Sequence, residues 1–149
     1  MMTTNIEEII ENFAYLDEWD DRYRYLIELG KSLDPLPESA RIEANRVMGC
    51  ASQVWVKTDI SNINGQRILT FSGDSDAFIV KGLVALTLAL YSGHTPAEIK
   101  DIDASTLFQK IGLSEHLTPQ RSNGVRSMIE RIKRDASAAE LSNPITQPS

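Results

Sequence analysis

One cysteine and two histidines are the only thiol or imidazole groups in the chain, so any nucleophilic or metal chemistry must be built around very few groups. Cys50 lies in the run Val47-Met48-Gly49-Cys50-Ala51-Ser52-Gln53-Val54-Trp55. Gly49 tolerates backbone angles closed to other residues, so the chain can turn sharply just before the thiol. Strand-forming residues resume at once with Val54, Trp55 and Val56. This order puts sulfur at a loop tip on a rigid sheet, a common way to present a reactive group. The competing reading is a packed, inert thiol, because free cysteine is among the most buried residue types. Composition alone leaves both open.

Three chemistries follow from these groups. In a Cys–His hydrolase, Cys50 is the nucleophile, His94 or His116 the base and an aspartate the orienter. Nothing in the spacing selects either histidine: His94 follows Gly93 just before Thr95, a loop position, and His116 falls in the turn before the last helix. In a non-catalytic interaction module, Cys50 is structural and the helical surface binds a partner. In a thiol-exchange protein, Cys50 accepts and passes on a group by itself. An iron–sulfur cluster normally needs several thiolates, which one cysteine cannot supply. The same poverty argues against structural zinc.

The remaining composition narrows the setting. The 149 residues suit one compact domain over 1–140, with a flexible tail over 141–149. Hydrophobic residues make up 42% and charged residues 24%, ordinary for a globular protein. A lone thiol excludes an internal disulfide and suits a reducing compartment. The start, MMTTNIEEII, has no basic region followed by an apolar run, so no secretory or transit segment is read there. The most apolar stretch, 77–91, is interrupted by Lys81 and Gly82 and falls short of the roughly 20 residues a membrane span needs. A cytoplasmic protein off the membrane is expected. Net charge is −6, of which residues 1–45 carry −7, leaving the remainder near +1. No broad basic face is available for nucleic acid. The basic bias of Arg121, Arg126, Arg131, Lys133 and Arg134, against Glu130 and Asp135, is read as a solvated helix face.

The elements that must hold Cys50 follow from periodicity and punctuation. Ile6, Ile9, Ile10, Phe13 and Leu16 form a helical stripe, with Thr4 and Glu7 as a capping box. A second helix is predicted over 18–29 with Trp19, Tyr23, Leu26 and Ile27 inward, stopped by Gly30. Asp34-Pro35-Leu36-Pro37 breaks regular structure. Strands are predicted over 52–58 and 67–72, joined through Asn64-Gly65 by a connection longer than the tightest hairpin loop, and a weak strand over 45–48. Asp74 or Ser75 is expected to cap a central helix over 77–91. Thr95-Pro96-Ala97-Glu98 starts another helix. A short helix over 104–111 and a long one from Thr118-Pro119, with Val125, Met128, Ile129 and Ile132 inward, complete an α+β domain, a small antiparallel sheet packed against helices.

Three blocks in order carry a resemblance. The run Gly49 to Trp55, then Gly73-Asp74-Ser75-Asp76-Ala77 with Ile79-Val80-Lys81-Gly82-Leu83, then His116-Leu117-Thr118-Pro119-Gln120-Arg121-Ser122-Asn123-Gly124, resemble the signature of the SufE family of sulfur acceptors. The looser likeness extends from about Phe13 to Ile132. It implies the fold shared with iron–sulfur scaffold proteins. It also implies a carrier that takes persulfide sulfur from a SufS-like cysteine desulfurase, stimulates that enzyme and supplies an iron–sulfur assembly scaffold. The carrier would hold no cofactor of its own; the desulfurase uses pyridoxal phosphate. By position Cys50 matches the sulfur-accepting cysteine, with Asp74 and Arg121 as supporting polar positions. Arg121 is then the candidate cation for lowering the thiol pKa, and Asp74 a helix cap that shapes the site. Gly49, Ala51, Ser52 and Gln53 are expected to line the partner contact. Ala51-Ser52-Gln53 leans towards SufE itself, while Ala51 leaves the paralogous CsdE branch open.

Overall fold

The computed structural model describes residues 5–50 and 52–141. The chain opens with α1 (Ile6–Tyr15) and α2 (Trp19–Lys31) and passes through two short 3-10 turns, Glu38–Ala40 and Glu43–Asn45. The hairpin β1 (Val54–Ile63) and β2 (Gln66–Ser75) follows, and then α3 (Phe78–Tyr91), α4 (Pro96–Asp101), α5 (Ala104–Lys110) and α6 (Pro119–Leu141). A two-stranded antiparallel sheet packed on helices is the α+β arrangement expected.

Register fixes which residues reach the core. Val54 pairs with Ser75, Val56 with Gly73 and Thr58 with Phe71. Val54 and Val56 are fully buried, and on the facing strand Leu69 and Phe71 turn the same way. On β1 burial stops after Val56, leaving Ile60 and Ile63 about half exposed. The strands extend further than their β-branched runs, and the connection is the tightest possible rather than longer. Ile63 pairs with Gln66, and Asn64 and Gly65 alone turn the chain, with φ of 53° and 81°. Two successive positive φ values match the right-handed twist of the strands.

α3 is the centre of the molecule, with Leu83, Val84, Leu86, Leu88 and Tyr91 all buried. Its interior hydroxyls are both satisfied, Thr87 donating to the Leu83 carbonyl at 2.8 Å and Tyr91 to the Ile102 carbonyl at 3.4 Å. Gly82 packs against α2 so closely that a Cβ there would lie 2.2 Å from the Leu26 carbonyl oxygen. Gly30 meets it from the other side, where a Cβ would lie 2.8 Å from Gly82 N. Gly30 is therefore an interhelix contact and not the helix stop; α2 continues to Lys31 and ends where Ser32 N–H and Oγ satisfy the last carbonyls.

The Thr95 start is a full capping box, Thr95 Oγ1 accepting from Glu98 N–H while Glu98 Oε1 accepts from Thr95 N–H. Thr118 Oγ1 caps α6 by accepting from Arg121 N–H. α6 buries Val125, Met128 and Ile132, with Ile129 partly covered. In α2 the inward set is Leu26 and Leu29, with Trp19 and Tyr23 half-buried against them. α1 begins at an Asn5 cap, whose Oδ1 accepts from Glu8 N–H at 2.9 Å. The expected Thr4 cap and most of the expected tail lie outside the described residues, and α6 takes in Leu141.

Candidate functional site

The loop bearing Cys50 is closed at its base and open at its tip. Val47 N–H donates to the Val54 carbonyl at 2.8 Å, and Arg46 bridges to Trp55. The strand expected over 45–48 is reduced to this bridge because the chain before it coils into the 3-10 turn Glu43–Asn45. On the other side, Gln53 N–H donates to Asp76 Oδ1 at 3.1 Å, and Asp76 N–H returns a bond to the Gln53 carbonyl at 3.3 Å. Gly49 turns the tip with φ of 95°, and a Cβ there would meet Ser127 Oγ at 2.5 Å. Conformation requires glycine here, and any larger residue would also have to turn the Ser127 hydroxyl aside.

Cys50 is half-buried, and its thiol donates to the Gly124 carbonyl of α6 at 3.6 Å. It opens onto a cavity of about 230 Å³ between α3 and α6, walled by Val80, Leu83, Gly124, Val125 and Met128. Arg121, Ser52 and Gln120 stand among its polar lining. Burial pushes the thiol pKa up, and the Arg46 guanidinium pulls it only part of the way back. The resting thiol is protonated at neutral pH. Arg121 reaches the same cavity, but the cation that acts on the sulfur is Arg46, four residues earlier in the loop's own stem.

Asp74 does not cap α3. It lies within β2, and the helix starts at Phe78, three positions beyond Ser75, after Ala77, which makes no side-chain cap bond. The Asp74 carboxylate is buried and pairs with Arg41, with Lys81 Nζ 3.4 Å from Oδ1. Its Oδ1 also accepts from Ser75 N–H at 2.8 Å. The Arg41 guanidinium lies over the Trp55 ring, 5.1 Å from its centroid. A single carboxylate thus ties the segment before the loop (Arg41), the strand after it (Trp55, through Arg41) and the first turns of α3 (Lys81). Asp74 steadies the frame of the loop rather than touching the sulfur.

Of the expected contact residues, Gly49 and Gln53 are exposed and Ser52 lines the cavity, while Ala51 lies outside the described residues. Neither histidine lines the cavity. His94 Nδ1 faces Glu98 at 3.3 Å, and His116 stacks on Trp19 with ring centroids 3.7 Å apart. A hydrolase would need an imidazole at the thiol, and among the described residues none lines its cavity. Arg41 and Arg46 were missed from sequence. Arg41 meets an acid 33 positions away, and Arg46 stands in a stretch with no periodic pattern.

A family model described as SufE, Fe-S metabolism associated domain, matches residues 7–136. The chain belongs to the SufE family. Among curated SufE relatives, an uncharacterized SufE-like protein of Rhizobium meliloti is 56% identical over 133 residues, covering 89% of this chain and 95% of that one. Another uncharacterized SufE-like protein, from Rhizobium etli, is 53% identical over 136 residues, covering 91% of this chain and 92% of the relative. The solution structure of a hypothetical protein from Thermus thermophilus superposes with a TM-score of 0.71 at 24% identity, covering 95% of this chain and all of that one. That likeness speaks for the fold alone. Membership of the SufE family places the protein in iron–sulfur metabolism.

Proposed function

We propose that the protein is a sulfur carrier whose Cys50 accepts sulfur from the persulfide of a SufS-like cysteine desulfurase and hands it to an iron–sulfur assembly scaffold. The observation that carries this reading is the lone thiol at a clamped loop tip, facing a mostly apolar cavity with no imidazole on its lining. Such a site is suited to holding a group, not to turning over a substrate. Transfer needs one nucleophilic sulfur: the Cys50 thiolate attacks the outer sulfur of the donor persulfide, the donor S–S bond breaks, and the donor cysteine leaves as thiolate. A new S–S bond remains at Cys50, and no net oxidation occurs. The proton lost from Cys50 balances the one the donor thiolate regains.

The raised thiol pKa fits a guarded resting state, since the thiolate and not the thiol is the nucleophile. The donor must therefore dock before the thiol becomes reactive, and Gly49, Ala51, Ser52 and Gln53 are the residues that meet it. On this reading the protein acts as an accessory to the desulfurase in the cytoplasm. It holds no cofactor, and the pyridoxal phosphate belongs to the partner. Alanine release by the desulfurase, followed with and without this protein, tests the proposal. The intact protein accelerates turnover and Cys50→Ser does not; equal stimulation by both would assign the effect to binding alone.

A further inference from the structure

Against the stem of the Cys50 loop, and sharing no lining residue with the Cys50 cavity, lies a second and larger groove of about 350 Å³. Arg46 and Met48 form one wall, and Ser127, Glu130, Arg131 and Arg134 form the other. The α6 residues recur at intervals of three and four, which puts them on one face of the helix. Arg131 is fixed in place: Nε donates to Asp135 at 3.0 Å, a guanidinium nitrogen reaches the Val56 carbonyl at 3.4 Å, and its side chain is 12% exposed. Arg46 and Arg134 make no side-chain hydrogen bond or ion pair among the described residues, so their donors face the groove without a fold partner. Three guanidinium groups from two separate elements converge, with Glu130 the one acid on the lining. Like charges gathered this way oppose folding slightly, and the fold itself does not use two of them.

The groove is also a local reversal of sign, since the whole chain carries −6. Its wall continues into the Cys50 loop through Met48, a residue 69% exposed. An exposed methionine is an adaptable apolar contact. A protein covering Cys50 must also cover Met48 and reach the groove. Guanidinium forks pair best with carboxylates, in two-bond geometry. We propose that this groove, built from Arg46, Arg131 and Arg134, binds an acidic side-chain cluster on the protein that docks over Cys50. The inference rests on the sulfur-carrier reading for the identity of that protein, the cysteine desulfurase. It makes the groove an electrostatic handle that sets encounter and orientation, with Arg46 the one residue it shares with the thiol's own surroundings.

Calorimetric titration of the desulfurase into the full chain reads this directly and does not depend on sulfur transfer. Arg134→Glu is compared with Arg24→Glu, which makes the same charge change on an exposed part of α2 far along the sequence from the groove. Arg134→Glu raises Kd by at least about tenfold at low salt, as expected when like charges are placed opposite each other, and Arg24→Glu by less than about twofold. Added salt weakens binding of the unaltered chain more steeply than that of Arg134→Glu. Equal affinities for the two variants would overturn the proposal, as would no binding by the unaltered chain, or binding of short RNA to the groove with no effect of Arg134→Glu on the desulfurase. If Arg134→Glu lost its fold, Arg134→Gln would give the same comparison by removing charge without adding any. Weakened binding by Arg134→Glu with no sulfur ever appearing on Cys50 would leave the groove standing and end the carrier reading.

Discussion

Asp74→Asn tests whether the buried carboxylate is the frame of the Cys50 loop. With Lys81 Nζ 3.4 Å away, the gross attraction of that pair alone is about 5 kcal/mol at an effective dielectric constant near 20. Burying the carboxylate costs several kcal/mol in return, so the net worth of the pairing is far smaller than the gross figure. Removing one partner of a buried pair usually costs about 3–5 kcal/mol, because the other charge is stranded. Here the stranded cations can reach water, with Arg41 28% and Lys81 33% exposed at the side chain. That discounts the loss to about 2–3 kcal/mol. The asparagine retains the acceptor for Ser75 N–H, so the loss is electrostatic and not a missing backbone bond. For a chain of this size such a loss lowers Tm by roughly 5–10 °C. Urea unfolding of Asp74→Asn, Arg41→Met and the double variant measures it, with a coupling of about 1 kcal/mol or more expected between the two positions. Losses that simply add, or an Asp74→Asn variant within about 0.5 kcal/mol of the unaltered chain, would refute the reasoning.

Other outcomes follow from the same geometry. Alkylation of Cys50 by iodoacetamide rises through a midpoint above the ordinary thiol range, and Arg46→Ala moves that midpoint further up; a thiol already fully reactive at neutral pH contradicts the assignment. Because the folded pKa is raised, the same group adds stability below the unfolded thiol pKa, and that contribution is lost as pH rises through the folded value. Gly82→Ala forces α2 and α3 apart, since its methyl would sit 2.2 Å from the Leu26 carbonyl oxygen. The expected net loss is about 2 kcal/mol or more in urea unfolding, despite a helix-propensity gain of about 1 kcal/mol. Gly124→Ala places its methyl at an ordinary 3.5 Å from Sγ and leaves stability unchanged or raised by up to about 1 kcal/mol.

Much of the frame is legible in the sequence because it is specified locally. Thr95-Pro96-Ala97-Glu98 and Thr118-Pro119 carry their helix starts in a few residues, and the apolar run of α3 can only be a buried helix. Cys50 stands out because no other thiol competes with it. What stays hidden depends on partners far along the chain. Gly30 sits where a helix stop would sit, and only the approach of Gly82 explains it. Asp74 precedes an apolar helix as a cap would, yet β2 runs on through Ser75 because Val54 pairs with it, and Arg41 claims the carboxylate. Asn64-Gly65 turns the hairpin alone because the strands outlast their β-branched cores. The arginines of α6 read as a solvated face until the Cys50 stem brings Arg46 alongside.

The central claim is that Cys50 itself carries sulfur. Intact-mass spectrometry of the chain after incubation with a cysteine desulfurase and free cysteine addresses it directly. The account predicts a gain of one sulfur atom, reversed by a reducing thiol and absent in Cys50→Ser. A chain whose mass stays unchanged beside an active desulfurase, or a gain that persists in Cys50→Ser, would contradict it.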